Sequence, residues 1–138
     1  MRDKIFIDTN LLIYYISDDI TKKTSVKNFL FGDVQLVIST QVISEFISVC
    51  IKKLKITKAD AVAYAKDFMD IFVTEAVSSE TLKTAFAITE KHGYSIWDSM
   101  IIASALDARC NFLYSEDMQH GQVIDKILTI KNPFKNGI

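Results

Sequence analysis

The sequence predicts an α/β fold, a three-layer α/β/α sandwich with a mostly parallel central sheet. Three observations carry this. Short apolar, branched segments alternate with longer segments of helical period. The strand-like segments are apolar enough to be buried, as a sheet covered on both faces requires. No internal repeat, low-complexity stretch or linker divides the chain, so residues 1–138 read as a single domain.

Taken in order, Ile5 to Asp8 reads as the first strand, and Leu11 to Ile16 starts a helical turn. Thr21 to Phe31 is expected to be a helix with Val26, Phe29 and Leu30 on one face, ended by Gly32. Gln35 to Ser39 is a branched second strand. From Thr40 to about Leu54, Val42, Ile43, Phe46, Ile47, Val49 and Cys50 fall at helical spacing. Thr57 and Asp60 resemble a capping box that opens a helix to about Asp70, with Val62, Ala65 and Met69 inward. Ile71 to Thr74 fits a short strand. Ser79 to His92 reads as a helix with Leu82, Ala85, Phe86 and Thr89 inward and Gly93 as its stop. Ser95 caps a helix from Ile96 to Ala108 that is apolar nearly all round, so it should be buried. Asn111 to Tyr114 is a strand, Ser115 to Gly121 a polar loop, and Ile127 to Ile130 a last strand. The tail from Lys131 to Ile138 looks irregular.

Composition narrows the function. With 49% hydrophobic and 24% charged residues the chain is globular rather than disordered. A net charge of −1 gives no global attraction to nucleic acid. Any RNA contact must come from a local cluster, for which Lys52, Lys53, Lys55 and Lys58 are the candidates; the same lysines also suit a solvated helix end. Cys50 and Cys110 have neither metal nor redox spacing and read as buried thiols of a reducing compartment. No apolar run approaches a membrane span, and Asp8 and Asn10 interrupt the only signal-like stretch, which predicts a cytoplasmic protein that no membrane holds.

Open α/β sheets place their sites beyond the C-terminal strand ends. Asp8 ends the first strand there, and Ser115, Glu116 and Asp117 follow a later one. Each acid has a second reading. Asp8 suits a helix N-cap. Asp98, three residues after Ser95, suits a capping box near the helix dipole. Glu45 lies on the flank of its helix's apolar stripe, where solvation is ordinary. The Ser115 to Gly121 loop, with His120, could be a plain surface turn. Taken together, many carboxylates with few histidines and no paired cysteines favour a hard cation, Mg²⁺ or Mn²⁺. No Ser–His pair, phosphate loop or dinucleotide fingerprint competes.

Four segments resemble the PIN-domain family in order along nearly the whole chain. Phe6-Ile7-Asp8-Thr9-Asn10-Leu11-Leu12 is similar to its N-terminal motif, and Ser44-Glu45-Phe46 to its second acidic motif. Ile96-Trp97-Asp98-Ser99-Met100-Ile101-Ile102-Ala103 resembles the third, and Leu113-Tyr114-Ser115-Glu116-Asp117 the last. The resemblance implies an acidic quartet of Asp8, Glu45, Asp98 and Asp117, with Asp8, Asp98 and Asp117 as metal ligands, directly or through water. Asn10 and Ser115 would hold those ligands by hydrogen bonds, and Glu116 is an additional acid. The small size resembles VapC-type toxins, which implies RNA cleavage with Mg²⁺ or Mn²⁺, a protein antitoxin and a homodimer. Two rivals are a haloacid-dehalogenase-like phosphatase and a non-catalytic module on the same fold. The phosphatase needs a second Asp where this chain has Asn10; the module has no use for all four acids.

Overall fold

A computed structural model describes residues 2–30 and 32–135, with the side chain of Phe29 outside the described set. The elements are β1 (Asp3–Ile7), α1 (Thr9–Ile16), α2 (Ile20–Leu30), β2 (Val34–Ser39), α3 (Thr40–Lys52) and α4 (Lys58–Ile71). They are followed by β3 (Val73–Glu75), α5 (Ser79–His92), α6 (Ile96–Asp107), β4 (Phe112–Tyr114), β5 (Val123–Ile124) and β6 (Leu128–Lys131).

The sheet has the order β3-β2-β1-β4-β6-β5. Every pairing is parallel except β5 with β6. Ile5, Phe6 and Ile7 of β1 and Leu36, Val37 and Ile38 of β2 are all buried, which is why these strands carry no polar alternation. The helices form two groups: α1 packs on α2 and α3, and α3 on α4, while α5 packs on α6. Together with the sheet they make the three-layer sandwich. From β1 the chain crosses to β2 on one side, and β4 lies on the other. Beyond the C-terminal ends of β1 and β4 there is thus a topological switch point, where open α/β sheets hold ligands.

Three expectations are corrected by packing. On α4 the inward residues are Ala61, Ala65 and Phe68, not Val62 and Met69, which are 39% and 46% exposed. Two alanines let the helix approach closely, and the Phe68 ring meets Phe46 edge-on at 5.1 Å and stacks on Phe72 at 5.9 Å. On α5, Ala85 and Ile88 are buried and Phe86 is 51% exposed. The rotation of α5 is set by two polar ties to α6: Thr81 Oγ1 donates to Asp107 at 2.7 Å and Thr89 Oγ1 to Ser99 at 2.8 Å. On α6 the residues from Ser99 to Ala105 are buried as expected, but Trp97 is not.

Strand boundaries shift as well. The α4 helix runs through Ile71, so β3 begins at Val73, and β5 arises inside the stretch after the polar loop where no strand was expected. Val26 and Leu30 of α2 are buried as expected, whereas Phe31 and residues 136–138 lie outside the described residues. Cys50 and Cys110 are free and buried. Among the described residues no helix is long and apolar enough to cross a membrane.

The end of α6 stores strain. Arg109 has φ 59°, just past the cap residue Ala108, and its N–H donates to the Leu106 carbonyl at 2.9 Å. This left-handed position after a helix favours glycine. Arg109→Gly should therefore stabilise the protein by about 0.5–1 kcal/mol, the relief of left-handed strain less the extra freedom of glycine in the unfolded chain. A thermal melt should show a rise of roughly 2–5 °C; a fall would mean that the arginine side chain makes up for the strain.

Candidate active site

Asp8 follows β1 directly and caps α1, with its backbone extended at φ −75° and ψ 162°. Its N–H is held by the Tyr114 carbonyl at 3.1 Å, which ties the ends of β1 and β4 together. The residue is only 7% exposed. Oδ1 accepts the Thr9 N–H at 2.7 Å, and Oδ2 accepts the Ser115 hydroxyl at 2.8 Å. Asp8 thus caps α1 while its other oxygen faces Ser115 of the loop after β4. Burial, opposed by these two hydrogen bonds and reinforced by the charges of Glu45 and Asp98, pushes its pKa up from 3.8 to about 6.

Glu45 lies on α3, which begins directly after β2. It is half-buried. Oε2 accepts the Thr9 hydroxyl at 2.9 Å and Oε1 accepts Gln41 Nε2 at 2.9 Å. Gln41 also donates to the Trp97 carbonyl at 3.1 Å, so one amide joins α3 to the start of α6. Sequence reasoning missed both Gln41 and Thr9. Gln41 stands four residues before Glu45 on a helix, a spacing at which side chains meet, and Thr9 lies between two residues of the first motif.

Asp98 sits in the first turn of α6. Ser95 caps that turn by accepting the Asp98 N–H at 3.1 Å. The reciprocal half of a capping box is missing: among the described residues the Asp98 carboxylate accepts no hydrogen bond. Its acid is left for the site, and its pKa is raised by burial and then by the charges of Asp117 and Glu45. Asp117 is exposed and accepts Asn10 Nδ2 at 2.9 Å, while its N–H reaches Ser115 Oγ at 3.3 Å. Asn10 and Ser115 thus donate hydrogen bonds to Asp117 and Asp8.

Glu116 turns elsewhere. Its Oε1 accepts the Tyr14 hydroxyl at 2.9 Å and its Oε2 pairs with Lys22 Nζ at 3.0 Å. Lys22 Nζ also donates to the Tyr14 oxygen at 2.9 Å and lies 4.4 Å from the centre of that ring. This triad clamps the loop that carries Asp117 onto α1 and α2. His120 Nδ1 accepts the Asn132 N–H at 3.0 Å and so serves the loop. Lys52, Lys53 and Lys55 are exposed at the far end of α3, with Lys52 about 10 Å along the helix from Glu45. The clamp has a measurable consequence. In thermal melts of Lys22→Met, Glu116→Gln and the double variant, the coupling between the two residues should be about 0.5–1 kcal/mol. Coupling indistinguishable from zero would mean that the pair does not hold the loop.

The four acids form one electrostatic unit, since Glu45 and Asp98 act on Asp8, and Asp117 and Glu45 act on Asp98. Among the described residues no ion pair involves any of them. Their donor chemistry suits a hard divalent cation. As the side chains stand, among the described residues no three such groups close on an ion position. Three of the acids are turned onto neutral donors: Asp8 onto Thr9 and Ser115, Glu45 onto Thr9 and Gln41, and Asp117 onto Asn10.

Solved structures share this fold. The chain resembles VapC20 of Mycobacterium tuberculosis, described as a sarcin-ricin-loop-cleaving toxin, with 18% identity, a TM-score of 0.69, and coverage of 82% of this chain and 89% of that one. It is similar to a toxin–antitoxin complex from Klebsiella pneumoniae, with 18% identity, a TM-score of 0.70, and coverage of 94% and 98%. FitAcB of Neisseria gonorrhoeae shares 14% identity at a TM-score of 0.68, with coverage of 95% and 99%. No curated protein sequence matches. The model of the PIN domain matches residues 5–125, a span that takes in all four acids from Asp8 to Asp117, and the chain belongs to the PIN domain family.

Proposed function

We propose that this protein is a Mg²⁺- or Mn²⁺-dependent endoribonuclease and the toxin of a toxin–antitoxin pair. The observation that carries the reading is the coupling of four carboxylates from four separate segments at the switch point, with no cationic partner among the described residues. Asp8, Asp98 and Asp117 would hold the ion, directly or through water. Such an ion would lower the pKa of bound water and offset charge on the phosphoryl transition state. Glu45, fixed by Thr9 and Gln41, would bind the ion or orient the attacking water. Ser115 and Asn10 fix the ligand carboxylates. Lys52, Lys53 and Lys55 offer a cationic patch to a longer RNA. Asn10 supplies an amide to Asp117 where phosphatase chemistry needs a second carboxylate, which disfavours that rival.

The decisive experiment is incubation of total RNA with purified protein in Mg²⁺, Mn²⁺ or EDTA, followed by mapping of the ends. Cleavage with either metal and none in EDTA is expected; intact RNA in all three would reject the reading. The structural neighbours include VapBC and FitAB complexes, some bound to DNA, which supports a protein antitoxin as partner. We take the protein to be a cytoplasmic homodimer, with exposed apolar side chains such as Phe86 and Ile71 as candidates for its interface. Light scattering at micromolar concentration should give twice the monomer mass.

A further inference from the structure

The helix α6 is buried from Ser99 to Ala105, yet Trp97 at its start is 62% exposed. This is the single tryptophan of the chain. Leaving so large an apolar ring in water is unfavourable, and no ring contact or cation holds it among the described residues. The main chain that carries it is nonetheless fixed. The Trp97 carbonyl accepts Gln41 Nε2 at 3.1 Å, and the same nitrogen holds Glu45 Oε1 at 2.9 Å. The next residue is Asp98, which is coupled to Glu45 and Asp117. An exposed tryptophan thus stands at a main-chain position tied to the acid cluster by the amide that also orients one of its acids.

We propose that Trp97 is a stacking platform for an unpaired RNA base beside the phosphate presented to the acid cluster. The inference rests on the nuclease reading and adds a base-binding residue to its site. The cluster itself is negative and repels phosphate, so affinity there must come partly from contacts that carry no charge. Base stacking on an aromatic ring is such a contact, and it is open only to a base that is not already stacked in a duplex. Because every base has a flat face, the platform selects unpaired structure rather than sequence.

The lone tryptophan is its own reporter. Protein in EDTA, where no ion supports cleavage, is titrated with a short single-stranded RNA, with an abasic strand of equal length and with the blunt duplex. Indole fluorescence should be quenched by the single strand alone. Trp97→Ala should weaken binding of the labelled single strand by about 5- to 100-fold and Trp97→Phe much less. The loss should be the same at low and high salt, unlike the loss on removing a lysine. With Mn²⁺ the alanine variant should show a raised KM with a largely retained kcat. RNA cleavage by wild type with no quenching and an unchanged KM in Trp97→Ala would overturn the platform while leaving the nuclease standing. Specific quenching without cleavage under any metal would support the platform and reject the nuclease. Fluorescence that changes on dilution without RNA, with a lower mass for Trp97→Ala in light scattering, would assign the ring to contact between copies and overturn the proposal.

Discussion

Asp8→Asn and Asp98→Asn should each cleave RNA about 10²–10³-fold more slowly than wild type at unchanged fold, the usual loss when one preorganised electrostatic group is removed. The structure explains why the fold should survive. In Asp8→Asn the amide oxygen still accepts the Thr9 N–H, and the amide nitrogen turns to Ser115 Oγ, which can accept instead of donate. Asp98→Asn disturbs less, because among the described residues its carboxylate accepts no hydrogen bond and Ser95 caps the helix through the backbone. Glu45→Gln is the harsher structural change, since one oxygen can still meet Thr9 but the new amide nitrogen would face the donor nitrogen of Gln41. Single-turnover rates with a labelled RNA, beside circular dichroism of each variant, measure the effect. Near-wild-type rates in both aspartate variants would remove these acids from catalysis.

The layers and the sheet edge were legible because burial writes itself into runs such as Ile5-Phe6-Ile7 and Leu36-Val37-Ile38. A strand C-terminus followed by an acid then locates the crevice. Helix rotation was harder to read. On α4 a stripe through Val62 and Met69 competes with one through Ala61, Ala65 and Phe68, and hydrophobicity favours the wrong one. Close approach through alanine and the ring contacts of Phe68 decide it, and both are tertiary. On α5 the deciding groups are two threonine hydroxyls, which no apolar pattern records. The β5 strand has two residues and is formed by pairing with β6 rather than by propensity.

At the site the acids themselves could be found, because their order along the chain carries the family resemblance. Their partners could not. Glu116 stands next to Asp117 in sequence, yet it points to Lys22 and Tyr14, since adjacent residues leaving a strand face different ways. Gln41 was masked by the apolar stripe of α3 around it. At Asp98 the Ser95 cap follows from spacing, but that the carboxylate accepts no reciprocal bond among the described residues is a fact of side-chain geometry that spacing does not hold.

The second large effect is on stability. Asp8 titrates at about 6 in the folded chain against 3.8 as its ordinary value. Between these pH values the native state binds more protons than the unfolded state, so stability falls as pH rises. This loss is complete above the folded pKa and absent below the ordinary one. For a shift of this size it amounts to about 3 kcal/mol at most. The asparagine of Asp8→Asn carries no charge to desolvate. The metal-stripped variant should therefore match wild type near pH 4, gain on it up to about pH 6 to 7, and hold a constant lead above. The lead corresponds to a melting point several degrees higher, up to roughly 10 °C in a domain of this size. Other carboxylates also titrate in this range, but they do so in both proteins, and the difference between the two melts isolates Asp8. Millimolar Mg²⁺ or Mn²⁺ should reverse the order, because an ion bound by the native acids stabilises wild type by mass action and the variant less. Melts of both proteins from pH 4 to 8, with and without metal, give the full set. A difference that does not change with pH, or one that favours wild type in the metal-stripped state at pH 7, would show that Asp8 is not held ionised against burial and like charge.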